Sequence, residues 1–161
     1  MRASIFAGEI IAMLAATGVT AVEETGYNPG CFFQSKTVII PHDDKKFRGG
    51  EDSADSSDYV LTVADGVGGW AEQGINPGLF STELTASVIG ISGEEPEQSA
   101  YELAYTACQH AATLFEGSAT LVIIRLLEGL KIEGANLGDS GYALFHVNKD
   151  DTIEMYFRSP S

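Results

Sequence analysis

Cysteine is scarce in this chain. Cys31 and Cys108 are the only two among 161 residues, with no CxxC pair and no histidine at ligand spacing, so neither a disulfide framework nor a cysteine–histidine zinc site is indicated. Two free thiols are expected, and His110, two residues after Cys108, would lie on a different helix face from it. Positive charge is also in short supply. Nine Lys and Arg stand against 23 Asp and Glu, a formal net charge of −14, which lacks the basic footprint that nucleic-acid binding requires and fits divalent-metal sites, a basic partner or, most commonly, a soluble acidic surface. Long hydrophobic runs are missing too. The apolar run over 10–16 is preceded by Glu9 and falls short of the ~20 residues that span a bilayer, so a transmembrane helix is not expected. Its small residues at 19–21 superficially resemble a signal-peptide end, while one arginine and an early acid suit an organellar presequence poorly. Residues 1–35 are therefore read as a targeting sequence or an ordinary first strand or helix.

With 44% apolar and 20% charged residues the chain reads as globular and of one-domain size, able to bury roughly 68–70% of its unfolded surface. It has no internal repeat, and Gly49-Gly50 with the acidic run over 51–58 marks one loop-like region. Strands are expected over 36–40, which stops at Pro41, and over 59–64. Asn76 caps a predicted helix with Pro77 at its first position, followed by Phe80, Leu84, Val88 and Ile91 at spacings of three and four, to about Gly93. A second helix carries a stripe of mostly small residues, Ala100, Leu103, Ala104, Ala107, Cys108, Ala111 and Phe115, suited to close packing on a sheet. Four strands follow, over 120–127, 130–137, 142–147 and 152–157, read as one meander. The apolar run over 121–124 expects burial on both faces, whereas the alternation over 152–156 expects an edge. Strands, two helices and more strands make an α+β fold, with helices on a mainly antiparallel sheet.

Three acidic features carry the chemistry: Gly50-Glu51-Asp52, Asp65-Gly66-Val67-Gly68-Gly69-Trp70, and Asn136-Leu137-Gly138-Asp139-Ser140-Gly141. Asp65 and Asp139 each follow an apolar strand, so each carboxylate would be held at a sheet's end, as preorganised ligands are. Taken singly, Asp-Gly or Gly-Asp is more often a β-turn. A simple hairpin, however, does not call for the glycines and tryptophan that follow Asp65, and glycine there lets something approach the backbone closely. The Gly66–Gly69 segment has neither GxGxxG spacing nor a following Lys-Ser/Thr, which argues against a phosphate-cradling loop. Asp52, Asp55 and Asp58 miss the ligand spacing of a calcium loop, so a solvated acidic loop is expected there. Ser118 has no GxSxG elbow and neither cysteine a recognisable histidine partner, which leaves metal-activated water as the chemistry best supported.

In their order, Ile40-Pro41-His42-Asp43-Asp44-Lys45, Gly49-Gly50-Glu51-Asp52, Val63-Ala64-Asp65-Gly66-Val67-Gly68-Gly69-Trp70, Asn76-Pro77 with Phe80-Ser81 and Leu84, Gly117-Ser118-Ala119-Thr120, and Ala135-Asn136-Leu137-Gly138-Asp139-Ser140-Gly141 resemble the metal-dependent serine/threonine protein phosphatases of the PPM family, type 2C. The likeness is to the mitochondrial and plastid branch, and it runs from about Val38 to Phe157. It implies a four-layer α-β-β-α sandwich, with residues 36–161 a partial phosphatase domain that stops short of the family's C-terminal strands and acidic motifs. It also implies at least two Mg²⁺ or Mn²⁺ ions. Asp65 would bridge two of them, with the Gly66 carbonyl and Glu51, through water, completing one coordination sphere. Asp139 would serve a further ion and Asp52 support the ligands. Hard oxygen donors suit such ions.

By the same resemblance, activated water attacks phosphorus in phosphoserine or phosphothreonine of protein substrates, with no phosphoenzyme. Many members carry a histidine directly after the Asp-Gly; here Val67 stands there, leaving His42 or a metal-bound water as candidate proton donor, with a structural role the first expectation for His42. Arg48 is a candidate for binding the substrate phosphate in bidentate fashion. A truncated pseudophosphatase acting as a phosphoprotein-binding or partner-binding module is the alternative, and a simple divalent-cation binder a third reading. The branch favours an organellar, mitochondrial or plastid setting, with the cytoplasm open.

Overall fold

The structure is a computed structural model that describes residues 2–7, 10–15 and 31–160; the side chains of the first two segments and of residues 44, 47 and 48 lie outside that description. The small residues at 19–21 lie outside the described residues as well. In chain order the strands before the first helix are β1 (Arg2–Ala7), β2 (Ile10–Ala15), β3 (Thr37–Ile39), β4 (Asp52–Ser56) and β5 (Val60–Asp65). Helices α1 (Pro77–Glu94) and α2 (Ala100–Leu114) follow, and then β6 (Leu121–Leu127), β7 (Lys131–Leu137), β8 (Ala143–Val147) and β9 (Ile153–Arg158).

An antiparallel sheet of order β4-β5-β6-β7 forms the centre. Its inner strands β5 and β6 are continuous apolar runs because both of their faces are covered. On one face Val60, Ala64, Leu121 and Ile123 meet Phe80, Leu84 and Val88 of α1 and Leu103, Ala107 and Ala111 of α2. The alanine stripe of α2 is what lets the helices approach closely. Each helix begins where its capping residues dictate: Asn76 Oδ1 accepts the Gly78 N–H at 3.1 Å with Pro77 at the first position, and Ser99 and Glu102 form a reciprocal capping box. On the other face Leu61, Val63, Val122, Ile124 and Leu126 pack against Phe33, Ile39 of β3, and Tyr142 and Leu144 beside and within β8. There β1-β2-β3 form one antiparallel sheet and β8-β9 a hairpin, with β1 beside β8. The layers therefore run helices, sheet, second β layer, an α+β arrangement with both helices on one side among the described residues.

Two expectations are corrected. The acidic run over 51–58 is not a solvated loop: residues 52–56 are β4, paired along their whole length with β5. Asp and Ser have little strand preference, but Ser53 points inward and its hydroxyl lies 2.8 Å from Thr85 Oγ1 on α1, so the helix supplies the partner that makes a polar strand tolerable. The last four strands are not one meander either. β6 and β7 belong to the central sheet, whereas β8 and β9 cross over its face, because Tyr142 and Leu144 bury themselves against Val63 and its neighbours. β9 pairs only with β8 among the described residues, and all of its residues are exposed.

Both cysteines are free and sit on opposite faces of the sheet, Cys31 against one core and Cys108 against the other. Burial pushes the Cys108 thiol above its ordinary range. No helix of the described residues is long and apolar enough to cross a membrane.

Candidate active site at the acidic end of the sheet

The strand register brings the acidic motifs to one end of the central sheet. Asp52 opens β4 and Asp65 closes β5, and the two are direct cross-strand partners. Partners of this kind project from the same face. Because side chains alternate, that face is the one carrying Leu61 and Val63, so both carboxylates stand at the rim of the space between the two β layers. β6 begins at Leu121, which pairs with Leu137 at the end of β7, and this puts Asp139 at the same end. Asp65 and Asp139 are both exposed.

The backbone around Asp65 is tied on every side. Gly66 N–H donates to the Glu51 carbonyl at 3.0 Å, Val67 N–H to the Ser118 carbonyl at 2.9 Å, and Thr120 N–H to the Asp65 carbonyl at 2.9 Å. Asp65 N–H donates to Thr120 Oγ1 at 3.0 Å, and Trp70 Nε1–H to Ser118 Oγ at 2.8 Å. Ser81 of α1 donates to the Glu51 carbonyl at 2.6 Å, holding the 50–52 corner against the helix. Only glycine fits at position 66: a Cβ there would stand 2.7 Å from the Glu51 carbonyl oxygen and 2.8 Å from that of Pro77. The Asp65-Gly66 step is thus a close passage between two main chains, not a hairpin turn. The carboxylate of Asp65 is left facing solvent on a fixed backbone, which is what a preorganised ligand requires.

The other expected residues fall as follows. Glu51 is buried, and its carboxylate forms an ion pair with Lys45, a partner that no spacing rule pointed to because a short 3-10 helix (Asp43–Arg48) and the Gly49-Gly50 turn fold it back. Arg48 closes that helix, and its side chain lies outside the described residues. His42 precedes it, exposed. Val67 is 46% exposed beside Asp65, an aliphatic group with no proton to give. Among the described residues no three Asp, Glu, His or Cys side chains stand together as a metal-holding group. The donors that are present nevertheless suit a hard divalent cation: two carboxylates on one strand pair, flanked by main-chain carbonyls, with no sulfur or imidazole among them.

No family model matches the chain. It is 40% identical over 129 residues to probable protein phosphatase 2C 55 of Arabidopsis thaliana, an alignment covering 78% of the chain and 26% of that protein. It is 30% identical over 111 residues to the protein phosphatase PTC7 homolog of Danio rerio, covering 63% and 37%. The X-ray structure of the photosystem II phosphatase PBCP superposes with a TM-score of 0.62 at 37% identity, covering 75% of this chain and 47% of that one. The chain belongs to the type 2C protein phosphatase family. It spans about a quarter to just over a third of the length of these two curated relatives. As a type 2C chain it comes from a metal-dependent family.

Proposed function

We propose that this chain takes part in metal-dependent hydrolysis of phosphoserine and phosphothreonine in proteins, with Asp65 as its central residue. One observation carries the reading: Asp65 and Asp52 are cross-strand partners at the sheet's end, on a backbone held by Glu51, Ser118 and Thr120. Asp65 and the Gly66 carbonyl would hold Mg²⁺ or Mn²⁺ there, with Glu51 acting through water, Asp52 supporting the ligands and Asp139 available to a further ion. Such ions, when bound, supply water activation for in-line attack on phosphorus and offset the charge of the phosphate.

The chain's own residues do the rest. Main-chain hydrogen bonds hold the Asp65 backbone in place, so a ligand has only the side-chain rotamer of Asp65 to set. Lys45 offsets the charge of buried Glu51 and so limits repulsion of an incoming phosphate dianion. Val67 cannot protonate the departing serine or threonine oxygen, which leaves that role to His42 or to solvent. Arg48 remains the candidate for gripping the phosphate. The likeness to a phosphatase of photosystem II supports an organellar setting.

The test is phosphate release from a phosphothreonine peptide by the purified chain with Mn²⁺, with chelator, and with Asp65→Asn. Metal-dependent release that the substitution abolishes is the expected result. Release that persists in Asp65→Asn, or no release from folded chain, overturns the reading.

A further inference from the structure

We propose that Thr120 is a positioning residue that sets the backbone of Asp65 and the backbone of Asp139 at a fixed separation. The inference rests on the metal-dependent reading above only for its purpose; its geometry stands by itself. Regular pairing of β5 with β6 extends from Val60↔Arg125 to Val63↔Val122, and beyond it Gly66 and Ala119 form an isolated bridge. In this irregular stretch a side chain takes over from the main chain: the Asp65 N–H is received by Thr120 Oγ1 at 3.0 Å. That oxygen accepts from Asp65, so the hydroxyl proton of Thr120 is available to Ser140 Oγ, 2.6 Å away. Ser140 is buried, at 7% exposure, so its hydroxyl depends on this partner rather than on solvent.

The methyl group of the same side chain acts on the other flank of Asp139. Gly138 has φ of 92°, and a Cβ on it would come within 2.9 Å of Thr120 Cγ2. The loop therefore closes over the threonine methyl only because residue 138 is glycine. Asp139 is thus straddled: the residue before it rests on the Thr120 methyl and the residue after it meets the Thr120 hydroxyl. One threonine holds the Asp65 main chain on one side and the Asp139 loop on the other, and neither carboxylate is consumed in doing so. Partners of this kind, which orient ligands without touching the ion, typically shift metal affinity by one to two orders of magnitude when removed.

Calorimetric titration of Mn²⁺ into the full chain and hydrogen exchange at the Asp65 amide read the purpose and the geometry separately. Thr120→Val keeps the shape and removes the hydroxyl. It is expected to weaken Mn²⁺ binding roughly 10–100-fold and to speed exchange at Asp65, while Thr120→Ser, which keeps the hydroxyl but loses the methyl under Gly138, leaves Asp65 exchange at the parent's rate and weakens Mn²⁺ binding less than Thr120→Val. Equal Mn²⁺ affinity in the parent and Thr120→Val overturns the proposal, as does a Thr120→Ser variant as weak as Thr120→Val. If the parent binds no Mn²⁺, the metal-dependent reading fails by itself. The positioning role is then decided by exchange, where faster exchange at Asp65 in Thr120→Val supports it and unchanged protection overturns it. Should Thr120→Val not fold, Ser140→Ala probes the same contact from its other side: weaker Mn²⁺ binding with Asp65 still protected is expected, and unchanged binding and loop exchange overturn the role.

Discussion

The two ends of the central sheet both carry charge, and they treat it in opposite ways. At the end away from Asp65, Arg125 of β6 is 5% exposed, and its guanidinium donates to the carbonyls of Pro96 and Gln98 in the α1–α2 connection. Glu133 of β7 approaches it at 3.5 Å and also accepts the Ala100 N–H at the start of α2, at 2.9 Å. The charge there is spent inside the fold, pinning the helix pair to the sheet. At the acidic end the hydrogen bonds go to the main chain around Asp65, and the carboxylate itself stays in solvent. A charged group held by internal partners, as Arg125 is through both terminal nitrogens although its buried Nε has none among the described residues, is architecture. One whose backbone is held while its head stays exposed is available for chemistry.

Substitutions can break that contrast, and their effects on stability should descend in order. Arg125→Met is expected to cost the most, about 3 kcal/mol, because it strands two connection carbonyls and leaves Glu133 without its buried partner; urea unfolding measures it, and a loss below about 0.5 kcal/mol, the range of ordinary surface changes, would remove the architectural role. Gly66→Ala comes next at about 2 kcal/mol, since the added Cβ meets two backbone oxygens at 2.7 and 2.8 Å that no rotamer can move aside. The melting temperature should fall with it, and a variant as stable as the parent would show that the passage beneath Asp65 is looser than described.

A smaller effect concerns pH near the basic end. Hydrogen bonds from the Ser99 N–H and hydroxyl hold the Glu102 carboxyl below its ordinary range. The stabilisation is therefore present above the unfolded-state value and is lost as pH falls through the lower folded value. Glu102→Gln should flatten the acid side of the stability profile over that window, and a profile parallel to the parent's would count against the capping box. Asp65→Asn should change stability least, within about 0.5 kcal/mol, while abolishing Mn²⁺ uptake; substantial unfolding would place Asp65 with Arg125 among the structural charges.

Much of this was legible beforehand, and particular residues show why. The start of α1, the existence of α2, the double-sided burial of β6 and the position of Asp65 at a strand end follow from local rules: a cap, a periodicity, a run of branched residues that ends. β4 was not legible, because its residues alone prefer a loop and become a strand only when β5 supplies the ladder and Thr85 the hydroxyl partner for Ser53. The separation of β8–β9 from β6–β7 was hidden for a related reason. Turn residues announce a hairpin, but which layer it joins depends on where Tyr142 and Leu144 find apolar cover. The Lys45–Glu51 pair and the Thr120 contacts had no signature at all.

By itself, then, the sequence determined the helices, the inner strands, the acidic motifs and their order, since each is written in spacing over a few residues. Tertiary structure alone decided that Asp52 faces Asp65, that Thr120 stands between Asp65 and the Asp139 loop, and that Arg125 is sealed while Asp65 is open. Those facts depend on register between segments more than ten residues apart in the chain, and register is set by which faces find burial.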